Sequence, residues 1–137
     1  MRKFYIPHLI PLEDCPRDYS LRFLTQVWRN FNNFSYLLNK PFVREINGEF
    51  YLEDGNHRSV WLMINDIYFI DADFEIPDKA GIIATLRTVD SVRERGVHNI
   101  NDLVMKVKNP SQYLADGPIT HKISLEDLKN PKYFLRI

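Results

Sequence analysis

The segment from Pro41 to Glu53 restricts the fold most, because its pattern fits a β-hairpin. Two short runs rich in aromatic and branched apolar residues, Phe42–Ile46 and Glu49–Glu53, flank the dipeptide Asn47-Gly48. Asn-Gly is typical of a type I′ turn, whose two central residues both need positive φ. A two-residue turn also predicts the register of the strands, with Val43 opposite Leu52, Arg44 opposite Tyr51 and Glu45 opposite Phe50. We therefore expect a sheet that includes this hairpin.

The hairpin leads directly into a polar pentapeptide, Asp54-Gly55-Asn56-His57-Arg58, which we call the box. An amphipathic run from Ser59 to Asn65 follows it and predicts a short helix. A glycine between strand and helix lets the backbone approach a ligand closely, and a helix N-terminus offers N–H groups with partial positive charge. His57 and Arg58 add side chains that can hold phosphate oxygens. The pattern therefore predicts a phosphate site at the box.

The length and composition are those of one ordinary globular domain. The 137 residues are 45% hydrophobic and 26% charged, which suffices for a core without disulfides or metals. Lys and Arg total 18, as do Asp and Glu, which argues against a general nucleic-acid coat because such proteins carry a basic excess. Cys15 is the only cysteine, so no internal disulfide and no cysteine-rich zinc site can form. Because no signal peptide and no long apolar run is present, we expect a cytoplasmic protein that does not contact membranes.

Two further strands are predicted outside the hairpin. The aromatic and branched residues of Lys3–Leu9 favour a strand, which Pro7 restricts to a sheet edge or ends early. The prolines and acids of Ile10–Asp18 favour a loop. Ile67–Ile70 predicts a strand after the second helix, and this strand could extend to Ile76.

A longer helix is predicted ahead of the hairpin. Apolar residues spaced three and four apart indicate a helix from Ser20, which could cap it, to about Leu38. Asn30, Asn32 and Asn33 interrupt this pattern, because asparagine side chains compete for backbone hydrogen bonds. We therefore expect a break or bend in this helix.

Beyond residue 77 the sequence pattern predicts helices and no further strands. Gly81–Arg95 is amphipathic and predicts a helix, and Ile100–Lys108 predicts a second one, capped by Asn99 or Asn101. Ser124 begins a possible capping box further on. The whole pattern predicts an α+β fold, with a small mixed sheet and packed helices. Residues 1–76 would form its core, and residues 77–137 a helical extension and tail packed on that core, so that the chain is one domain overall.

The residues from Phe50 to Val60, with Pro41-Phe42-Val43 ahead of them, resemble the core of the ParB/sulfiredoxin superfamily. Its members carry a proline and a hydrophobic strand, a short turn, a strand that ends in a G-x-x-R or D-G-x-H-R box, and then a helix. The resemblance implies a compact ParB/sulfiredoxin-like domain that binds a nucleotide through the box, with Gly55, His57 and Arg58 around the phosphates. Related folds hydrolyse nucleotides, transfer phosphoryl groups, reduce cysteine sulfinic acid or act as nucleases.

Two departures from the superfamily narrow this expectation. Sulfiredoxins place a cysteine just before the His-Arg pair, where this chain has Asn56, and Cys15 lies far away in the sequence. Because an amide is not a nucleophile, we do not expect sulfinic acid reduction. Chromosome-partitioning ParB proteins also carry a helix-turn-helix domain, and the residues after 77 contain no convincing recognition helix. We therefore do not expect centromere binding.

The candidate site residues follow from the box and the resemblance. The ligand-binding candidates are Asp54, Gly55, Asn56, His57, Arg58 and Ser59. The catalytic candidates are His57, which could shuttle a proton, and Glu53, which could act as a general base. In phosphoryl-transferring relatives an acid earlier in the chain can serve, which points to Glu13 or Asp14. No metal ligand is assigned, because the histidines at 8, 57, 98 and 121 lack metal-ligand spacing, and Mg²⁺ is expected only together with a nucleotide.

Each of these residues also has a structural interpretation. Arg58 could pair with Asp54 or Glu53 and fix the loop to the helix. His57 could cap the helix or bond a carbonyl, and Asp54 could bond the N–H groups of its own turn. The leading hypothesis is thus a domain that binds a nucleotide or a phosphorylated small molecule, with phosphate-ester or phosphoanhydride chemistry if it is an enzyme. The alternative is a non-catalytic module that binds nucleic acid or protein through a surface patch, for example Arg87, Arg93 and Arg95.

Overall fold

A computed structural model of the chain describes residues 1–35 and 40–130, where a mixed sheet packs against helices. The strands are β1 (Arg2–Tyr5), β2 (Ile10–Pro11), β3 (Phe42–Ile46), β4 (Glu49–Asp54) and β5 (Phe69–Glu75). The helices are α1 (Asp18–Phe31), α2 (Asn56–Ile64), α3 (Lys79–Glu94), α4 (Ile100–Met105) and α5 (Leu125–Leu128), with 3₁₀ turns at Ile6–His8 and Pro110–Tyr113. The predicted α+β class, with a small mixed sheet and packed helices, is therefore confirmed.

The five strands are arranged in the order β1-β5-β3-β4-β2. β1 pairs with β5 and β3 with β4 in antiparallel fashion, whereas β3 pairs with β5 and β2 with β4 in parallel. Asn47 and Gly48 have φ of +52° and +80°, as a type I′ turn requires. The three predicted cross-strand pairs are all present. The hairpin prediction is confirmed in both its turn and its register.

The two faces of the hairpin contribute to different apolar clusters. Val43 and Leu52 are fully buried in the main core, which also contains Trp61 of α2. Tyr51 points to the other face and packs in a smaller cluster with Val89 of α3. Because successive side chains of a strand alternate between faces, the hairpin contributes residues to both apolar clusters.

The N-terminal segment differs from the prediction in two ways. The predicted first strand ends after Tyr5, because Pro7 lies in a 3₁₀ turn. The predicted loop contains β2, whose residues Ile10 and Pro11 pair with β4. β2 is the last strand in the sheet order, and an edge strand tolerates a proline because the missing N–H is not needed on its outer side.

The first helix begins earlier and ends earlier than predicted. α1 starts at Asp18 with Arg17 in the N-cap position, so Ser20 lies buried in the first turn and is not the cap. Asn32 has φ +60° and terminates the helix in the left-handed conformation, which confirms the predicted break. The predicted continuation over residues 36–38 lies outside the described residues.

The second helix begins at Asn56, three residues earlier than predicted, so most of the box is helical. β5 starts at Phe69, because Ile67 N–H still bonds the Leu62 carbonyl at the end of α2 (2.9 Å). The predicted extension of this strand is present as far as Glu75.

The two helices predicted beyond residue 77 are present with shifted ends. α3 begins two residues before the predicted start, because Asp78 caps it, and α4 ends at Met105 and not at Lys108. Asn99 caps α4 and Ser124 forms a capping box with Asp127, as predicted. Several of these later residues are buried in the same apolar cluster as residues 1–76, among them Val92, Ile100 and Leu128. The division into a core and an extension at residue 76 stays a prediction. Within residues 1–35 and 40–130, no helix has the length and apolar character needed to cross a bilayer.

Candidate functional site

The box connects β4 to α2 without any intervening loop. Gly55 occupies the N-cap position of α2 with φ +98°, a conformation that residues with a Cβ rarely adopt. A Cβ at this position would lie 2.9 Å from Pro41 Cβ, so the backbone of the box is closely packed against the residue that precedes β3. Glycine has no side chain with which to cap the helix, and the first N–H groups of α2 are therefore open to another acceptor.

Asn56 fixes the start of α2 between two strands. Its Nδ2 donates to the carbonyl of Leu52 (2.9 Å) and its Oδ1 accepts from the N–H of Leu12 (3.1 Å). The residue is buried, and both ends of its amide bond the backbone. Asn56 therefore holds the segment after β2 against the box.

His57 makes a similar bond to the start of α1. Its Nε2 accepts from the N–H of Arg17 (3.0 Å). Burial, with a smaller contribution from the charge of Arg17, lowers the pKa of His57 from its ordinary value to about 4. The imidazole is thus neutral at pH 7, with its proton on Nδ1. This geometry matches the structural interpretation of His57, since the lone pair that would accept a proton is already occupied.

Arg58 is a buried cation whose hydrogen-bond donors are only partly satisfied by the described residues. It is only 3% exposed, and its Nε and Nη2 atoms have no hydrogen-bond partner among residues 1–35 and 40–130. Burial lowers its pKa to about 10, against the opposing effect of the Asp54 carboxylate, so the guanidinium remains charged at neutral pH. The adjacent Ser59 Oγ is also buried without a partner in the same described part of the chain. Donors of this kind are normally bonded in folded proteins.

The segment Leu12–Arg17, which we call the site loop, is bonded to the box at both ends through Asn56 and His57. It carries Glu13, whose pKa is raised mainly by burial although Arg17 lowers it. It also carries Asp14, which pairs with Arg95, the residue that follows α3 (2.5 Å). The structure therefore brings the two earlier acids close to the box in the fold, although about 40 residues separate them in the sequence.

Glu53 is bonded outside this arrangement, whereas the charge of Asp54 acts on Arg58. Glu53 Oε1 accepts from Thr85 Oγ1 of α3 (2.5 Å) and pairs with Arg44 (3.3 Å), which places its carboxylate on the α3 side of the sheet. Asp54 is exposed at the end of β4. The structure thus gathers Asn56, His57, Arg58 and Ser59 with the site loop, and Glu53 is bonded elsewhere.

No pattern in the sequence predicts the partners that organise the site. The bonds from Leu12 and Arg17 come from backbone N–H groups, which every residue type offers, and Thr85 lies in α3 without a recognisable motif. In the part of the chain that the structure describes, no group of three or more His, Cys, Asp or Glu side chains is arranged to hold a metal ion.

Comparisons with protein-family models, with curated proteins and with solved structures found no match for this chain.

Proposed function

We propose that the box is the anion site of a ParB/sulfiredoxin-like domain, which binds a nucleotide or another phosphate-bearing ligand. The observation that carries this proposal is the buried, charged guanidinium of Arg58 at the first turn of α2, whose Nε and Nη2 have no hydrogen-bond partner among residues 1–35 and 40–130. A buried charge without a partner costs several kcal/mol, of order 3 to 5 when one member of a buried pair is missing. A phosphate would supply the missing acceptor.

The surroundings of Arg58 favour a phosphate over a neutral ligand. The N-terminus of α2 begins at Gly55, where the backbone offers N–H groups and the helix dipole favours negative charge. Ser59 Oγ adds a buried hydroxyl that can donate to a phosphate oxygen. Cation, helix N-terminus and hydroxyl are the donors that phosphate sites combine.

Phosphate-ester or phosphoanhydride chemistry would need a group that exchanges protons. His57 is held neutral and bonded by the Arg17 N–H, so its part is to position the site loop. Glu13 is the better candidate, because burial raises its pKa above the ordinary value of a carboxyl group and the loop that carries it is fixed to the box. Arg58 would stabilise charge that develops on the phosphoryl oxygens, and Mg²⁺ would arrive with a nucleotide.

Isothermal titration of the purified protein tests the binding proposal. ATP, ADP and CTP are titrated with Mg²⁺ into the wild type, Arg58→Ala and Arg87→Ala, the last being a matched control because Arg87 is exposed on α3. We expect Arg58→Ala to weaken binding about a hundredfold, as the loss of two charge-assisted hydrogen bonds implies, and Arg87→Ala to bind like the wild type. Circular dichroism confirms that each variant is folded.

Two outcomes would contradict the proposal: unchanged binding by Arg58→Ala, or no binding of nucleotide or pyrophosphate by the well-folded wild type. The second outcome would leave the non-catalytic module as the remaining candidate. Its suggested patch is already partly committed, since Arg95 pairs with Asp14.

A further inference from the structure

A cavity of about 550 Å³ lies between α1 and residues 112–127. Tyr19, Arg22 and Phe23 of α1 form one wall, and Lys122 and Ile123 contribute to the other. Its volume is in the range of small-molecule sites. None of the box residues lines this cavity.

The second wall belongs to residues 114–123, which we call the strap. The strap has no helix or strand, yet side chains of α1 hold its backbone in place. Arg29 donates to the carbonyls of Leu114 (2.7 Å from Nη2) and Pro118 (3.1 Å from Nη1), and Gln26 Oε1 accepts from the N–H groups of Thr120 and His121 (3.2 Å each). Because these bonds join segments about 90 residues apart, the cavity is a fixed feature of the tertiary structure.

Asn30 completes this attachment. Its Nδ2 donates to the carbonyl of His121 (2.8 Å) and its Oδ1 accepts from the N–H of Ile123 (3.5 Å). The backbone on both sides of Lys122 is thus anchored, while the ammonium of Lys122 has no bonding partner among the described residues. A fixed backbone that presents an unpaired cation suits the recognition of an anion.

The charge of the cavity lining is positive. Among the lining residues within 1–35 and 40–130, Arg22, Arg29 and Lys122 face a single carboxylate, that of Asp127. The guanidinium of Arg29 is bonded to strap carbonyls, and Arg22 uses Nε for Asp18 (2.9 Å). The Nη groups of Arg22 and the ammonium of Lys122 are therefore the cationic donors that a ligand could meet.

The apolar part of the lining is aromatic. Tyr19 and Phe23 are four residues apart on α1 and therefore lie on one face of the helix. Aromatic side chains on a cavity wall favour a flat ring, which can stack on or pack edge-on against them. The lining thus offers one aromatic wall and a cationic rim.

We propose that this cavity is a second binding site, and that it takes a small flat organic anion, an aromatic ring that carries a carboxylate or a phosphate. The ring would lie against Tyr19 and Phe23, and the anionic group would meet Lys122 and Arg22. The site is independent of the box, so it holds or fails separately from the function proposed above.

The test follows backbone amide signals of the ¹⁵N-labelled full chain during titration. The probes are 2-naphthoate, its neutral analogue 2-naphthamide, and AMP, and all are run in the Arg58→Ala background so that the box does not contribute. We expect 2-naphthoate to shift the amides of residues 22–26 and 120–123 with saturation, and 2-naphthamide to bind about tenfold more weakly. Lys122→Gln should raise the Kd for 2-naphthoate by about the same factor.

Lys79→Gln is the matched control, since Lys79 is an exposed lysine at the start of α3 outside the cavity lining. Shifts of the same strap amides by AMP would extend the site to phosphates, and shifts by 2-naphthoate alone would assign it to carboxylates. The proposal is overturned if no probe produces a saturable shift at the strap. It is also overturned if neither change weakens binding, that is, if Lys122→Gln leaves the Kd for 2-naphthoate unchanged and 2-naphthamide binds as tightly as 2-naphthoate.

Discussion

Two arginines, Arg44 of β3 and Arg58 of α2, show how differently one side chain can be used in this fold. Arg44 is about a quarter exposed, and it bonds Glu75 (2.9 Å), Glu53 (3.3 Å) and Thr85 (3.2 Å), which fixes α3 to the sheet. Arg58 is buried at the start of α2, and two of its nitrogens have no partner in the described part of the chain. The first arrangement stabilises the protein, whereas the second lowers the stability of the free protein.

This difference separates a structural charge from a candidate functional one. A cluster in which each charged group has a partner is complete without a ligand, so nothing about Arg44 points to binding. A buried guanidinium without an acceptor is retained at a cost in stability, and such groups concentrate at functional sites. Of the two carboxylates predicted as structural partners of Arg58, Glu53 bonds Arg44 and Thr85, and only the charge of Asp54 acts on the Arg58 guanidinium.

The largest expected effect comes from replacing each arginine by methionine, which keeps an apolar stem of similar length. Arg44→Met should lower the free energy of unfolding by about 2 kcal/mol, because Glu75, Glu53 and Thr85 each lose the bond from Arg44. Arg58→Met should raise it by about 1 to 2 kcal/mol, because a buried unpaired charge is removed. Urea unfolding followed by circular dichroism measures the resulting gap of about 3 to 4 kcal/mol.

Added phosphate provides the control for this comparison. A ligand that binds only the folded protein stabilises it. Pyrophosphate should therefore reduce the difference in free energy of unfolding between Arg58→Met and the wild type, and leave the difference between Arg44→Met and the wild type unchanged. If Arg58→Met is destabilised as much as Arg44→Met, Arg58 makes bonds in the free protein and the box is a structural staple.

The next effect depends on pH and again concerns the box. The pKa of His57 is lowered to about 4, so the imidazole is neutral in both the folded and the unfolded chain above about pH 7. As the pH falls toward 4, the unfolded chain binds the proton first, and the folded protein loses stability by up to about 3 kcal/mol. Below pH 4 the folded protein is protonated as well, at the expense of the bond from the Arg17 N–H.

The variant His57→Gln isolates this effect, because an amide oxygen can accept from the Arg17 N–H and does not titrate between pH 7 and 4. The difference in unfolding free energy between wild type and variant should change by about 3 kcal/mol over that range. His98→Gln is the control, since His98 is exposed. If the free energies of unfolding of the wild type and of His57→Gln change in parallel with pH, His57 binds a proton as easily in the folded protein as in the unfolded chain.

Local patterns predicted the parts of the molecule that depend on local physics. Asn47-Gly48 determined the hairpin turn, and Ser124 and Asn99 were recognisable as caps, because each acts on residues within one turn of itself. β2 was missed because two residues are too few to show a period, and the prediction began α2 late because a glycine N-cap carries no capping side chain.

The environment of the candidate site could not be predicted in the same way. The box was recognised as a motif, but the anchoring of the site loop depends on backbone N–H groups 40 and 44 residues away from their partners. The side chain of Glu53 is bonded by Thr85, a residue of α3 that lies 32 positions later in the sequence. Such contacts arise only when the elements pack together, so a sequence pattern carries no trace of them.

The smallest expected effect compares two glycines with the same backbone requirement. Gly55 and Gly96 both have positive φ, +98° and +83°, so an alanine at either position is strained by about 1 to 2 kcal/mol. A Cβ at Gly55 would also lie 2.9 Å from Pro41 Cβ, whereas nothing lies within 4 Å of a Cβ at Gly96. Gly55→Ala should therefore lower the free energy of unfolding by about 1 to 2 kcal/mol more than Gly96→Ala, and it alone should weaken nucleotide binding, because the first turn of α2 must shift. Equal losses of stability with unchanged binding would mean that Pro41 yields to the new methyl group, and the close approach would then not constrain the position of Arg58.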